Sequence, residues 1–264
     1  MNLALKDKIK AIFFDLDGTV FHHPTRDLSQ NVLKYSEILK EKGYKLGICT
    51  SRTVAELANI PTEFIDLMDV VITGAGTVIK YQDHLDIVTF NPAMIKDIFA
   101  FFEKENIPYR WTDSVGDGFY GSVLDPEVMY FSDYLYQVIP GQKLHNDEPV
   151  TSFVFFTRDL NHKAEAFNLV GDNEIVGWDY AWEITPQGMN KKHGILKVIA
   201  EWHFDMSEVM AFGDGSNDVT MLEAVGFGVA MANGVEKAQA VADYVTDSIE
   251  NDGVSKALVK FEFI

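Results

Sequence analysis

Short apolar runs alternate with amphipathic stretches at both ends of the chain, and this alternation constrains the fold more than any other feature. Before residue 80 the predicted elements are a strand at 10–14, a helix at 28–42, a strand at 44–49, a helix at 53–59 and a strand at 70–73. After Pro186 they are a helix at 191–202, a strand at 209–212, a helix at 218–225, a strand at 228–231, a helix at 235–242 and a strand at 244–246. Strands that alternate with helices in this way predict a parallel sheet with helices on its faces.

The middle of the chain has a different pattern, with looser spacing between its apolar runs. Strand-like runs are predicted at 81–90, 108–111 and 151–156, and helix-like runs at 92–103, 126–137 and 161–169. This mixture indicates an α+β insert with a sheet of its own. We therefore predict an α/β protein whose Rossmann-like parallel-sheet core comprises residues 1–80 and 186–264, with an inserted α+β domain at 81–185.

Composition and charge exclude several classes of protein. The chain has 264 residues, 47% of them hydrophobic, so it can bury a core without disulfides. Its single cysteine, Cys49, excludes a disulfide framework. Forty acidic residues against 22 Lys and Arg give a net charge of −18. Because nucleic-acid affinity rests mainly on Lys and Arg, we expect no nucleic-acid partner.

The sequence also predicts no association with a membrane. Its apolar runs are far shorter than the roughly 20 residues that span a bilayer. The first residues lack the long apolar segment of a secretory signal. We therefore expect a cytoplasmic protein, while its oligomeric state stays open.

Polar residues follow three of the predicted core strands directly. They lie at 15–19, 50–52 and 213–218, and the carboxyl ends of parallel strands form the crevice in which α/β proteins bind ligands. Asp15 and Asp17 are two residues apart on an extended backbone, so their side chains point the same way. Two such carboxylates repel each other unless a cation lies between them or one is protonated.

The last of these segments repeats the same chemistry. Asp214 ends a strand and Asp218 lies about one helical turn later, so both can face one point. A hard cation such as Mg2+ prefers carboxylate oxygens. Gly213 and Gly215 lack the third glycine of a dinucleotide-binding loop, which argues against a nicotinamide or flavin site.

Two other positions could hold an anion. Thr50 and Ser51 offer hydroxyl and backbone N–H groups at a predicted helix start. Lys191 and Lys192 begin another helix, where a cation opposes the helix dipole and so suggests an anionic partner. The helical periodicity places both lysines about equally far from the buried face, so it does not choose between them.

Together these segments resemble the four motifs of the haloacid dehalogenase superfamily. The resemblance rests on DLDGT at 15–19, Thr50 at a strand end, the lysine after ITPQGMN, and GDGSNDVTML at 213–222. The size of the insert resembles the type IIB cap of the Cof-type sugar-phosphatase branch, and residues 228–258 are similar to that branch as well.

The resemblance implies a role for each of these residues. Asp15 is implied as the nucleophile that forms an aspartyl-phosphate, and Asp17 as the acid and base. The implied metal is Mg2+, held by Asp15, Asp17 and Asp214 with support from Asp218. The residues implied to bind the phosphoryl oxygens are Thr50, Lys191 and Asn217, and we add Ser51 because its hydroxyl lies beside Thr50 at the predicted helix start. Lys191, rather than Lys192, matches the lysine of the branch.

We therefore expect a Mg2+-dependent phosphatase of small phosphorylated metabolites, such as sugar phosphates. A phosphomutase is an alternative, because Asp15 and Asp17 would serve both reactions. A receiver-like phosphoacceptor switch is a non-enzymatic alternative, but a switch needs no acid such as Asp17 and no large insert.

The insert offers several candidates for the residues that select the substrate. The candidates in the insert are Tyr109, Arg110, Trp111, residues 113–125, His145 and Trp182. Aromatic residues of this kind more often belong to a core. For His22 and His23 we expect an exposed pair rather than a contact with substrate.

Overall fold

The computed structural model describes residues 4–29, 31–135 and 140–264, which form two large sheets of different character and one two-stranded sheet. The strands are β1 Ala11–Phe14, β2 Phe21–His22, β3 Asp27–Leu28, β4 Lys45–Cys49, β5 Val70–Thr73, β6 Val78–Tyr81, β7 His84–Ile87, β8 Tyr109–Thr112, β9 Asp117–Tyr120, β10 Ser152–Phe156, β11 Glu174–Trp178, β12 Ala181–Thr185, β13 Val209–Gly213, β14 Phe227–Ala230 and β15 Tyr244–Val245. The α-helices are α1 Leu5–Lys8, α2 Val32–Glu41, α3 Thr62–Asp66, α4 Pro92–Glu105, α5 Pro126–Leu135, α6 Leu160–Val170, α7 Lys191–Glu201, α8 Val219–Ala224, α9 Glu236–Val241 and α10 Gly253–Lys260.

The larger sheet has eight strands in the order β15-β14-β13-β1-β4-β5-β6-β7. The strands from β15 to β5 are parallel, which confirms the parallel-sheet core. Alternate residues of β1 pack on opposite faces. Ile12 and Phe14 belong to one core cluster, and Phe13 packs with Ile195 of α7 in another. The sequence of a strand that is buried on both faces in this way is a continuous apolar run.

The larger sheet ends in an antiparallel hairpin that the sequence did not predict. Residues 81–90 were expected to form one strand of the insert, but β6 and β7 pair with each other and join the larger sheet. Gln82 at the tip of the hairpin has φ 49°, a conformation that permits a two-residue turn. The chain therefore leaves the larger sheet only after Ile87, several residues later than the predicted division at 80 and 81.

The smaller sheet is antiparallel, with the order β11-β12-β10-β8-β9, and it confirms a separate α+β unit in the middle of the chain. One face carries aromatic side chains, including Tyr109, Trp111 and Phe153, that pack under α4 and α6. The alternate residues, among them Arg110 and Glu183, lie on the face toward the larger sheet. This alternation follows from the two-residue period of a strand.

Several predicted elements differ in extent from those observed. The helix predicted at 28–42 begins only at Val32, because residues 27 and 28 pair with β2. The segment predicted as a helix at 53–59 is a 3-10 helix, Ala55–Asn59. The last two residues of the helix predicted at 126–137 lie outside the described residues.

Within the described part of the chain, the helices are too short or too polar to span a bilayer.

Candidate active site

The ends of three adjacent strands bring the predicted site residues to one edge of the larger sheet. Strand β1 lies between β13 and β4, so Asp15, Asp214 and Thr50 follow neighbouring strands. The Asp15 backbone N–H donates to the Phe212 carbonyl at 3.0 Å, and Thr50 N–H donates to the Ile72 carbonyl at 2.9 Å. These hydrogen bonds extend the sheet pairing by one residue beyond each strand. They therefore fix the backbone positions of Asp15 and Thr50.

A buried lysine lies at the centre of the site. The Lys191 ammonium is 2.5 Å from Asp15 Oδ1 and 2.6 Å from Asp218 Oδ1, and its side chain is fully buried. Lys191 is the first residue of α7, whose N-cap Asn190 accepts a hydrogen bond from His193 N–H. Lys192, the neighbour that periodicity could not separate from it, is exposed.

The carboxylates around Lys191 outnumber it. Oxygens of Asp15, Asp214 and Asp218 all lie within 4.8 Å of one another. Burial raises the pKa of Asp15 to about 7, and the charges of Asp218 and Asp17 add to this effect against Lys191. Burial and the charges of Asp15 and Asp218 also raise the pKa of Asp214 well above its usual value. When ionised, the three carboxylates exceed the one ammonium by two negative charges, so the cluster fits a divalent cation.

Asp218 organises the surrounding loop. Its Oδ1 accepts from Lys191, and its Oδ2 accepts from the backbone N–H groups of Asp214 and Gly215 at 2.9 and 2.8 Å. Both oxygens therefore have partners in the described residues. This arrangement leaves Asp15 and Asp214 as the carboxylates best placed to contact a cation, with Asp218 holding them in position.

Gly18 allows the loop after β1 to approach Asp214 closely. Its φ is 79°, and a Cβ built on it would lie 2.3 Å from Asp214 Oδ2. Leu16 accepts three backbone hydrogen bonds, from residues 19, 20 and 21, that close the turn. The DxDGT motif therefore requires glycine for both backbone conformation and space.

Asp17 is held by the side chains of Arg52 and His23. Arg52 Nε and Nη2 donate to its two oxygens at 2.9 and 2.7 Å, a bidentate contact. His23 Nε2 lies 3.2 Å from Asp17 Oδ1. Arg52 is only 2% exposed and stacks on Phe21 at 4.5 Å. Asp17 is therefore fixed at the mouth of the site by groups outside the acidic cluster.

The expectation of an exposed histidine pair is wrong. The side chains of His22 and His23 are 19% and 14% exposed, because the β2–β3 hairpin folds them onto the site. Burial lowers the pKa of His23; Arg52 and His22 lower it too, whereas Asp17 raises it. The sequence offered no signal for this contact, since it depends on a hairpin of two-residue strands.

The proposed phosphate-binding residues form a connected group. Thr50 is fully buried, and its hydroxyl accepts from the Arg52 backbone N–H at 3.1 Å. Asn217 Nδ2 donates to Ser51 Oγ at 2.9 Å. The structure thus brings Thr50, Ser51 and Asn217 to the same cavity wall as Asp15, while Lys191 lies beneath Asp15.

Residues 12–258 match the sequence profile of the haloacid dehalogenase-like hydrolases. The chain belongs to this family. It is 28% identical to YkrA of Bacillus subtilis over 264 residues, covering 94% of this chain and 96% of YkrA. It is 27% identical to the 5-amino-6-(5-phospho-D-ribitylamino)uracil phosphatase YcsE of the same bacterium over 257 residues, covering 95% of this chain and 94% of YcsE.

Solved structures agree with this assignment. The structure of a subclass IIB sugar phosphatase of the same superfamily superposes with a TM-score of 0.85 at 30% identity. The match covers 97% of this chain and 100% of that chain. The family, the relatives and the fold identify a Cof-type phosphatase of the haloacid dehalogenase superfamily.

The acidic cluster of this phosphatase opens into a cavity of about 520 Å³ between the two sheets. Asp15, Asp17, Thr50, Ser51, Asn217 and Asp214 line one side. Arg110, Thr112, Ser152, Val154 and Glu183 line the other. A space of this size suits a small metabolite rather than a polymer.

The candidate specificity residues of the insert separate into two groups. Tyr109 and Trp111 are fully buried in the aromatic core, and Trp182 packs edge-on against Phe167. His145 packs edge-on against Trp111 in the same core. Arg110 lies on the opposite face and reaches the cavity. Of residues 113–125, Asp117 contacts Arg110.

An ion-pair network joins the two sheets beside the cavity. Arg110 of β8 pairs with Glu56, which follows β4 of the larger sheet, and with Asp117 of β9. Glu56 Oε2 also accepts from the Thr53 backbone N–H at 2.8 Å. The sequence analysis includes Arg52 in a polar segment without giving it a role, and it does not identify Glu56 or Glu183, because each acquires its role from partners distant along the chain.

Proposed function

We propose that this phosphatase depends on Mg2+ and releases inorganic phosphate from small phosphorylated metabolites, such as sugar phosphates, through an aspartyl-phosphate on Asp15. The buried Lys191–Asp15–Asp218 cluster beside Asp214 supports this proposal most strongly. It holds a carboxylate in place at the floor of a cavity and leaves a negative charge that a divalent cation would offset. The names of YcsE and of the subclass IIB sugar phosphatase support a small phosphorylated alcohol as substrate.

The residues fit the proposed metal. The Asp15 and Asp214 carboxylates, with the Asp17 backbone carbonyl, would hold Mg2+, and Asp218 would support them from below. When bound, the ion supplies positive charge that offsets the phosphate dianion and the developing charge of the transition state. Thr50, Ser51, Asn217 and Lys191 supply the remaining donors to the phosphoryl oxygens.

Asp15 is the nucleophile of the proposed reaction, and Asp17 is its acid and base. An Asp15 oxygen bonds to phosphorus while the bond to the ester oxygen breaks, and Asp17 gives its proton to that oxygen to form the alcohol. Asp17 then accepts a proton from water as the water oxygen attacks phosphorus. The bond to Asp15 breaks, which releases phosphate and restores the carboxylate.

The contact with Arg52 restricts how Asp17 can act. Both Asp17 oxygens accept hydrogen bonds from the guanidinium, so the lone pairs that face Arg52 are occupied in this arrangement. A proton delivered to the substrate would have to be carried on the side of the carboxyl that faces away from Arg52. Arg52 and His23 are therefore positioning residues for the proposed acid.

The division into two domains is also a proposal. Residues 1–80 and 186–264 would form the core and 81–185 the cap, although the sheet pairing moves the first crossover beyond Ile87. The cavity between the sheets supports opening and closing of the cap as the way in which substrate enters.

The test compares Asp15→Asn with the exposed control Asp66→Asn on p-nitrophenyl phosphate. We expect Asp15→Asn to retain less than a few per cent of the wild-type rate while remaining folded, since an amide cannot form the acyl phosphate. EDTA should abolish wild-type activity and Mg2+ restore it. Full activity in chelator would refute the metal, and turnover by Asp15→Asn would refute the nucleophile.

The same preparation separates a phosphatase from a phosphomutase. A sugar phosphate is incubated with enzyme, and free phosphate and sugar-phosphate isomers are both measured. Release of stoichiometric phosphate is expected. Formation of an isomer without phosphate release would favour the mutase.

A further inference from the structure

Glu183 is a buried carboxyl at the cavity to which the proposed reaction assigns no role. It lies on β12, where its neighbours across the strands are Val154 and Val176, and it is 6% exposed. Its side chain lines the cavity on the wall opposite Asp17. Two apolar neighbours and a position between the sheets explain its burial, and the Ser51 side chain on the facing wall forms a hydrogen bond with the carboxyl.

One oxygen of this carboxyl lacks a partner. Within the part of the chain that the structure describes, Glu183 Oε2 is buried and accepts no hydrogen bond. A buried carboxylate oxygen without a donor is costly, so such an atom at a ligand cavity points to a donor on the ligand. Burial raises the pKa of Glu183 to about 7; Glu56 raises it further, while Ser51 and Lys191 lower it.

The other polar groups of the same wall already bind each other. Arg110 pairs with Glu56 and Asp117. The Thr112 hydroxyl lies 3.0 Å from both the Ser152 and the Thr151 hydroxyls. Among the described residues that line this wall, Glu183 therefore has the buried acceptor oxygen without a partner, and Arg110, the cation of the wall, already pairs with two carboxylates.

We propose that Glu183 determines specificity by accepting a hydrogen bond from a hydroxyl of the leaving group and by disfavouring leaving groups that carry a negative charge. This inference rests on the proposed function, which places the phosphoryl group at Asp15 and Thr50. The alcohol must then extend across the cavity toward β12. A leaving group with a carboxylate or a second phosphate would meet the negative charge of Glu183 beside its unpartnered Oε2, and Arg110 of the same wall already pairs with two other carboxylates.

The experiment uses two esters that differ only at the end of the leaving group. Glycerol 3-phosphate ends in a hydroxymethyl group, and 3-phosphoglycerate has a carboxylate in its place. Each competes with p-nitrophenyl phosphate at pH 8, and the inhibition constants are measured for wild type, Glu183→Gln and the exposed control Glu165→Gln. Inhibition constants are informative whether or not either ester is hydrolysed.

Wild type and Glu165→Gln should bind glycerol 3-phosphate about tenfold or more tightly than 3-phosphoglycerate. Glu183→Gln should reduce this ratio at least severalfold, mainly by binding 3-phosphoglycerate better, because a neutral amide no longer repels the carboxylate. Circular dichroism shows that the variant is folded, and the competition assay requires only measurable turnover of p-nitrophenyl phosphate.

Two results would overturn the inference. Equal inhibition of wild type by the two esters would mean that the cavity does not sense the leaving-group charge. An unchanged ratio in Glu183→Gln would mean that another residue senses it. Absence of wild-type turnover on p-nitrophenyl phosphate in Mg2+ would instead contradict the proposed function.

Discussion

At the scale of single residues, the site is organised by one buried cation. Lys191 is within 2.6 Å of two carboxylates that would otherwise repel each other. Burial lowers the pKa of Lys191, but Asp15 and Asp218 outweigh this and raise the pKa above its usual value. The ammonium therefore stays charged, and it has a structural role in addition to the proposed contact with phosphate.

Replacing Lys191 should cost both stability and activity. Lys191→Met keeps most of the side-chain volume but leaves Asp15 and Asp218 without their cation, so we expect a loss of about 3–5 kcal/mol. The value of kcat/KM should fall at least about tenfold. Urea unfolding and kinetics on p-nitrophenyl phosphate measure the two effects. The matched variant Lys192→Met, at an exposed neighbour, should change neither by much; the reverse ranking would disprove the assignment.

Arg52 should matter most for substrates whose leaving group needs a proton. Arg52→Lys keeps the charge but loses the bidentate contact that positions Asp17. We expect kcat/KM on glycerol 3-phosphate to fall about tenfold or more, with a smaller loss on p-nitrophenyl phosphate, because nitrophenolate leaves without protonation. Arg26→Lys, at an exposed position, is the control. Equal losses on both substrates would show that Arg52 has only a structural role.

Individual site residues were predictable where they belong to a short motif in the sequence. The positions of Asp15, Asp17, Asp214 and Asp218 followed from strand ends and short spacings. Arg52 lay within a segment that was singled out, but its contact with Asp17 crosses 35 positions of the chain. Such contacts have no local signature in a single sequence.

At the scale of elements, the loop after β1 depends on one glycine for two separate reasons. Gly18 and Gly43 both have positive φ, at 79° and 89°. A Cβ at Gly18 would collide with Asp214, whereas a Cβ at Gly43 would meet nothing within 4 Å. A substitution at Gly43 would therefore show the effect of backbone strain alone, whereas one at Gly18 would add a steric collision with Asp214.

Alanine substitutions at these two glycines give the test. Each should lose about 1 kcal/mol from backbone strain. Gly18→Ala should also need more Mg2+ for half-maximal activity, because the new methyl group displaces the Asp214 carboxylate. Gly43→Ala should keep the wild-type Mg2+ dependence. Mg2+ titrations of activity and thermal unfolding check both, and identical Mg2+ dependence in the two variants would contradict this account.

The elements of the core were easier to predict than those of the insert. Strands buried on both faces leave continuous apolar runs, and β1, β4 and β13 were located from these runs. The sequence does not predict strands β11 and β12, because Glu, Gly and Thr interrupt their apolar residues and leave neither a continuous apolar run nor a strict alternation. The sequence predicts one strand across β6 and β7 because the turn between them contains no glycine or proline.

At the scale of the whole molecule, the cavity exists only because two units far apart in sequence face each other. Glu56 and Arg110, 54 positions apart, connect the larger sheet to the smaller one. Glu183 comes much later in the chain and lines the same space. Motifs predicted the floor of the site, whereas its opposite wall required the structure.

The burial of Glu183 between the sheets should make the stability of the whole protein depend on pH. Its pKa is raised from an ordinary value of 4.5 to about 7, mainly by burial. Between these values the unfolded chain loses the proton that the folded chain retains, so the free energy of unfolding falls as pH rises. Above pH 7 the free-energy cost of burying the charged carboxylate is fully present, and below pH 4.5 it is absent.

Glu183→Gln removes the titrating group and should be more stable than wild type at pH 8, by up to about 3 kcal/mol. At pH 5 the difference should be small. Urea unfolding of both proteins in EDTA measures this difference, and effects of groups common to both, including Asp15, cancel. The exposed control Glu165→Gln should show no such trend. A stability difference independent of pH would mean that Glu183 is not buried as a proton-binding group.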